Sequence, residues 1–383
     1  MKKLPKRLLT VTLAVALAAS ALFMLPAGAA TCSCHPRELG EILGSIHVLN
    51  TGWEDAIVLQ SDGYLALIDA AEPGRGPYIV SYLQRLLAEE GQDYTEVYVH
   101  LEFVIGTHSH IDHFGGFPYI FSHPQVTVGR AYLNYEAEQY ASSFYRAFVE
   151  AALANDIPMI KGGAGVSIDE LAIPLGHMTV TLLNAAPLHA GVTNPESIVQ
   201  LVEIGNFAAM LASDMNCRNH EAIIWAQMSR TAWGQNPVDF LKVGHHGLLN
   251  STGRRWANNL RPTYAVYTNG SSWVTQSHDV TLGRQAGADF IRGQGGFHNL
   301  RRVGTQQFVT TDNGGVMAVF GTTGMELRAI GEFTRNHRDD TLEWWHDDSI
   351  TLTHIAPPTH NFLGNIWIWW LDHWHGLLRR WGI

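Results

Sequence analysis

Residues 107–113 read Thr-His-Ser-His-Ile-Asp-His, which puts three imidazoles and one carboxylate into a single short run. His108, His110 and His113 offer borderline-soft nitrogen and Asp112 offers oxygen, a mixture that suits Zn²⁺. Four such groups exceed what one tetrahedral ion can use while a position stays open for water. The economical reading is two ions, with His108 and His110 on one and Asp112 and His113 on the other. A largely apolar stretch, Val97–Ile105, precedes the run and Gly115-Gly116 follows it. A strand ending in a tight loop would deliver all four groups to one point.

A metal cluster at a sheet edge draws ligands from several strand ends, and further strand ends here carry residues of the right type. Asp214 closes the apolar run Ala208–Ser213, a position suited to a carboxylate bridging two cations. His245 and His246 follow Asp239–Val243 and precede Gly247, and His189 follows Met178–Asn184 after a short loop. Asp69 ends Tyr64–Ile68, where it could orient a ligating histidine from behind. A lone aspartate at a strand end is more often a turn former; several strand ends each offering a ligand type are harder to explain that way. No Ser-His-Asp set competes, and Gly162-Gly163 and Gly165 lack the Lys-Ser/Thr pair of a phosphate cradle.

The elements that must position these residues follow from alternation and turn residues. Strands are expected at Ile42–Leu49, Ala56–Gln60, Tyr64–Ile68, Val97–Ile105 and Val126–Leu133. In a second half they are expected at Met178–Leu183, Ser197–Ile204, Ala208–Ala212, Asp239–Val243, Tyr264–Tyr267, Phe308–Thr311 and Val316–Phe320. Apolar residues Ile79, Leu83, Leu86 and Leu87 recur at helical spacing in Pro77–Glu90, which stops at Gly91, and Glu136–Ala154 is a second expected helix. Strands and helices interleaved twice over predict an α/β fold of two sheets packed face to face with helices outside.

These residues together resemble the metallo-β-lactamase superfamily. The motifs that carry the likeness are the His-x-His-x-Asp-His run, Asp69, Asp214 and His246. A closer likeness, to the hydrolase domain of the DNA-uptake protein ComEC and to secreted phosphorylcholine esterases, rests on further segments. These are Ile46–Asn50 with Gly52 and Asp55-Ala56, Leu67–Ala70, Asn194 with Ser197–Val199, Leu241–Gly247, and Ser277-His278. The usual Gly-Gln-Gly-Asp of that branch is here Gly52-Trp53-Glu54-Asp55. The resemblance implies an αββα sandwich of two mixed sheets and two zinc ions, with Mn²⁺ or Fe as substitutes. His108, His110 and His189 would hold one ion and Asp112, His113 and His246 the other, with Asp214 between them. In related sites the ligand stands just before the glycine, which selects His246. His245 and His278 would then support the ligands from behind or face the substrate, and Asp112, His245 and His278 are the catalytic candidates. The implied activity is hydrolysis of a small or polymeric phosphodiester. A β-lactamase or lactonase, or a non-catalytic metal-binding surface protein, are the alternatives.

The rest of the chain bounds setting and partners. Lys2, Lys3, Lys6 and Arg7 precede the uncharged run Leu8–Leu25 and the small residues Ala27-Gly28-Ala29, the pattern of a secretory leader spanning residues 1–30. An uncleaved anchor is the alternative, since the run is long enough to span. Loss of the leader with its four cations takes the formal charge from −10 to −14, a balance unsuited to duplex nucleic acid as the main ligand. Cys32 and Cys34 sit near the new N-terminus and Cys217 lies close to Asp214, so cysteine does not organise the fold. The hydrolase domain is expected over residues 31–329, followed by an extension over 330–383. There Leu363, Ile366, Trp367, Trp370, Trp374, Leu377, Leu378 and Trp381 share one helical face. Such a helix would lie in a membrane interface or dock on the protein itself or on a second subunit.

Overall fold

The computed structural model describes residues 39–134, 141–162, 168–185, 194, 197–215, 219–248, 250–269 and 296–331. The expected leader, His189, Cys217, His278 and the tryptophan-rich stretch lie outside the described residues. The first half builds β1 (Ile42–Leu49), β2 (Ile57–Ser61), β3 (Tyr64–Ile68), β4 (Val99–Leu101), β5 (Phe103–Gly106), β6 (Val126–Val128), β7 (Ala131–Asn134) and β8 (Met159–Gly162). Then follow β9 (Ala172–Leu175), β10 (Met178–Leu183), β11 (Val199–Ile204), β12 (Phe207–Leu211), β13 (Phe240–Lys242), β14 (Tyr264–Tyr267) and β15 (Gln306–Val309). The last two are β16 (Gly315–Gly321) and β17 (Met325–Ala329). They form an eight-stranded sheet in the order β17-β16-β1-β2-β3-β5-β7-β8 and a seven-stranded sheet in the order β15-β14-β13-β12-β11-β10-β9, with β4 and β6 as a separate pair. Both large sheets are mixed: β3, β5, β7 and β8 run parallel, as do β12 to β15, and their other pairings are antiparallel.

Alternation along each strand sorts side chains into layers, because successive residues point to opposite faces. Ile57 and Leu59 of β2, Ala66 and Ile68 of β3, and Ala209 and Leu211 of β12 share one core between the sheets. Their neighbours Val58, Leu65 and Leu67 join a second core under the helices Gly76–Leu87, Phe117–Ser122 and Ser143–Ala154. Ala208 and Met210 join a third, with residues of the helices Asn219–Met228, Arg254–Leu260 and Gly296–Arg302. Helix, sheet, sheet, helix is the αββα layering expected from the sequence. Among the described residues no helix is long and apolar enough to cross a membrane.

Several expected elements differ in detail. Val97–Ile105 and Val126–Leu133 each break into two strands that belong to different sheets. The two breaks pack on each other: Gly129 N–H donates to Leu101 O at 2.8 Å, and a side chain at Gly129 would stand 2.6 Å from Glu102 O. The strand expected over Phe308–Thr311 ends at Val309, where Thr310–Asn313 turns into a short helix. The helix expected from Glu136 is described from Ser143, with Ser142 as its N-cap accepting from Tyr145 N–H at 3.0 Å. Strands β8, β9 and β17 and the helices Asn219–Met228, Arg254–Leu260 and Gly296–Arg302 escape the sequence reading. Apolar residues fall all round Asn219–Met228, leaving Ile223 exposed and no amphipathic stripe to detect.

Beneath residues 108–113 lies an aromatic cluster in which Phe148 meets Phe114, Phe117 and Phe121 with ring centroids 4.9, 4.9 and 5.1 Å away. Phe148 is fully buried. Phe148→Ala should therefore cost about 3–5 kcal/mol of unfolding free energy, read from denaturant midpoints. A loss below about 1 kcal/mol would show that this cluster does not support the loop.

Candidate metal centre

The C-terminal ends of β3, β5, β12, β13 and β14 converge, and each releases a polar residue at the point of convergence. Asp69 follows β3, Thr107 to His113 follow β5, Asp214 follows β12, His245 and His246 follow β13, and Thr268 follows β14. After β5 the chain makes one tight turn, with His110 N–H bonded to His108 O at 3.0 Å, and enters the short helix Ile111–Phe114. Backbone bonds pin that turn: Asp55 N–H to Asp112 O at 3.1 Å and Ala70 N–H to His113 O at 2.7 Å. A side chain at Gly116 would stand 2.1 Å from Ala70 O, so the glycine permits this close approach.

The ends are strained. Asp69, Ser213, His245 and His246 take φ of 56°, 43°, 47° and 51°, the left-handed region that side chains disfavour. The consecutive left-handed pair turns both histidine rings towards Asp214. Gly247 continues the turn at φ 86°, where a side chain would sit 2.3 Å from the Tyr267 ring.

Asp214 stands at the centre. Its Oδ1 lies 3.2 Å from His246 Nε2 and 3.4 Å from His113 Nε2. Its Oδ2 lies 3.7 Å from His108 Nε2 and 3.7 Å from His245 Nε2. Asp112 Oδ2 is 3.3 Å from His246 Nε2 and 3.7 Å from His113 Nε2. Two ligand-type sets share Asp214: Asp112 with His113, Asp214 and His246, and His108 with His110 and Asp214. A third, Asp55 with Asp69 and His113, lies behind the His113 ring, and within each set the atoms lie within 4.8 Å of one another.

The far side of each ring is held by an acceptor. His113 Nδ1 meets Asp69 Oδ2 at 2.7 Å, and Asp69 also accepts from Thr107 N–H at 2.9 Å and Thr107 Oγ1 at 2.7 Å. His108 Nδ1 contacts Thr107 Oγ1 at 3.2 Å, and His246 Nδ1 contacts Thr268 Oγ1 at 2.9 Å. The near side is different. His108 Nε2, His113 Nε2, His246 Nε2 and Asp214 Oδ1 are buried without a hydrogen-bond partner. An unsatisfied buried polar atom costs about 1–3 kcal/mol, and here four such atoms face one another. A divalent cation satisfies nitrogen lone pairs and carboxylate oxygen together, so the residues fit a metal centre.

Charge reinforces this. Burial disfavours the charged forms of His113 and His246, but carboxylates outweigh it: Asp214 and Asp69 for His113, Asp214 and Asp55 for His246. Both rings are held well above the ordinary histidine range. Burial alone would raise Asp214, yet His246 and His113 hold it well below the usual carboxylate range. Burial pushes His108 well down and lowers His110 and His245.

His245 is set apart from His246. Its Nδ1 contacts Asn250 Oδ1 at 2.8 Å and its Nε2 contacts Asn194 Nδ2 at 3.0 Å, and it is outside both ligand-type sets. Sequence reasoning passed over the roles of Asp55, Thr107, Ser213, Lys242 and Thr268. The available signal was Lys242, a charge inside the apolar stretch Phe240–Val243, since a lysine in a buried strand needs a partner.

The fold and the centre together place a candidate metal site at the ends of two facing sheets. The family model of the metallo-beta-lactamase superfamily matches residues 54–256, just over half of the 383 residues, and the chain belongs to that superfamily. Its members are metal-dependent hydrolases with dinuclear centres. No curated protein matches the chain. Among solved structures, CmlA, a diiron beta-hydroxylase from Streptomyces venezuelae, aligns at 12% identity and a TM-score of 0.40 over 70% of this chain and 52% of its own. The MIM-2 metallo-beta-lactamase aligns at 18% identity and a TM-score of 0.33 over 57% and 80%. A diphosphatase from the PhnP family aligns at 15% identity and a TM-score of 0.33 over 59% and 84%. This chain spans about half the length of the CmlA chains it matches.

Proton competition gives the first test of the centre. The carboxylates around His113 and His246 raise both rings and so favour their protonated forms, whereas ligation needs their Nε2 lone pairs. Zinc uptake should release protons, and affinity should fall as pH is lowered through the raised range of these two rings. Calorimetric titration in buffers of different ionisation enthalpy measures the release. Uptake without proton release, or affinity flat over that range, would contradict the assigned charge states.

Proposed function

We propose that the chain is a dinuclear zinc phosphodiesterase acting on a small or polymeric phosphodiester. The observation that carries the reading is the Asp214 carboxylate, whose two oxygens face two different histidine sets. The phosphodiester class is supported by the ComEC-like segment Leu241–Gly247 with its paired histidines. His108, His110 and His189 would hold one ion, Asp112, His113 and His246 the other, and Asp214 both. Bound in this way, divalent ions supply Lewis acidity for phosphoryl oxygens and lower the pKa of water towards neutrality.

The side chains have the remaining tasks. Asp69 and Thr107 fix His113 and His108 by hydrogen bonds, so the ligand nitrogens are set before any ion arrives. Asp112 is the partly exposed carboxylate, with 27% of its side chain accessible, and so is placed to accept a proton from water at Oδ2. His245 donates from Nδ1 to Asn250, which leaves the Nε2 lone pair towards Asn194 and Asp214. Its Nε2 lone pair would accept a proton released at the site and could return that same proton to a leaving oxygen. His278 is the remaining candidate to touch substrate.

Purified protein should carry about two divalent ions per chain and hydrolyse a chromogenic phosphodiester in preference to a chromogenic β-lactam. Asp214→Ala should lower kcat/KM at least about a hundredfold and reduce metal content. Preferred cleavage of the β-lactam would replace the substrate class, and two bound ions with neither activity would favour a binding protein.

The paired histidines separate by readout. His246→Ala should lower metal occupancy, whereas His245→Ala should keep both ions and lower turnover. The reverse pattern, by metal analysis and steady-state kinetics, would exchange their roles.

A further inference from the structure

Lys242 ends β13 with its side chain fully buried. Its ammonium pairs with Asp55 Oδ2 and donates to Ser213 O at 3.3 Å. The second oxygen of Asp55, Oδ1, accepts from the Thr268 hydroxyl at 2.7 Å. A threonine hydroxyl has one proton to give, and this one goes to Asp55. The contact between Thr268 Oγ1 and His246 Nδ1 at 2.9 Å therefore has the ring donating. Asp55 Oδ1 also lies 3.3 Å from the same Nδ1, and an ionised carboxylate only accepts. Both neighbours of Nδ1 are acceptors, so a neutral His246 keeps its proton there. Its lone pair is then on Nε2, the atom that faces Asp112 and Asp214.

We propose that Lys242, Asp55 and Thr268 form a buried relay that sets the tautomer and orientation of His246, and through it the affinity of the Asp112–His113–Asp214–His246 set for its ion. The proposal rests on the metal-centre reading and deepens it. The three are positioning residues, acting through His246. The relay differs from the direct Asp69 contact on His113 in needing a cation of its own. His113 Nδ1 also lies 4.0 Å from Asp55 Oδ2. Lys242 is the cation that pairs with Asp55 in this buried setting. A carboxylate buried beside neutral rings without it would stand unpaired, and breaking such a pair is strongly unfavourable.

The test is zinc titration of metal-stripped full-length protein against a competing chelator, with the two equivalents resolved. Thr268→Val removes the hydroxyl at nearly constant volume, and Thr268→Ser keeps it. The valine variant should weaken one binding step about 10–100-fold, leave the other within about threefold, and be rescued by serine. Lys242→Met should weaken the same step; weakening of the other step instead overturns its part in the relay. Nitrogen-15 histidine NMR of zinc-loaded wild-type protein gives a readout that needs no variant. The His246 proton should be on Nδ1 and exchange slowly, and a proton on Nε2 overturns the proposal. Unchanged affinities and an unchanged Nδ1 proton in Thr268→Val also overturn it, with the metal centre left standing. Wild-type protein that takes up fewer than two ions contradicts the metal centre itself, and the relay with it.

Discussion

The Asp214 carboxylate is buried among four histidine rings with one oxygen lacking any hydrogen-bond partner, and the surrounding structure is organised around that arrangement. Moving a carboxylate out of water costs several kcal/mol unless opposite charge and hydrogen bonds replace the lost solvation. In the metal-free chain His113 and His246, whose protonated forms the carboxylates favour, are placed to supply positive charge. In the loaded protein the ions would do so, and each ring would exchange a proton for a metal. The same carboxylate thus holds the cluster together in both states.

Around that centre, the polar groups fall into two layers with different duties. The inner layer turns orphaned atoms inward: three Nε2 nitrogens and Asp214 Oδ1. The outer layer, formed by Asp69, Thr107, Thr268 and Asp55, meets each Nδ1 with an oxygen and so fixes which nitrogen stays bare. Ser213 ties the halves together, since its hydroxyl donates to Thr107 Oγ1 at 2.6 Å while its carbonyl accepts from Lys242. Four left-handed residues at strand ends are the conformational cost of aiming so many groups at one point. Two wide sheets and three apolar cores supply the stability that sustains it.

Much of this was legible because strand ends announce themselves. The bounds of β1, β3, β10 and β14 follow directly from alternation between turn residues. The ligand-type residues stood out because His108, His110, Asp112 and His113 are crowded into one loop, and Asp214 and His246 sit where apolar runs stop. Less legible were elements whose identity depends on tertiary contact. The break at Glu102 exists because Gly129 packs against it, 27 positions away along the chain. The relay was hidden for the same reason: Asp55, Lys242 and Thr268 are far apart in sequence and meet only when the sheets face each other. Asp55 and Lys242 were visible as parts of motifs, but nothing local says that one neutralises the other.

The central claim is that Asp214 joins two metal sites. Diffraction from zinc-loaded crystals with anomalous data at the zinc edge tests it most directly. The expected result is two anomalous peaks about 3.5–4 Å apart, one beside each Asp214 oxygen. The peak near Oδ1 should contact His113, His246 and Asp112, and the peak near Oδ2 should contact His108 and His110. A single peak, or two peaks that leave Asp214 outside contact distance of either, would contradict the account.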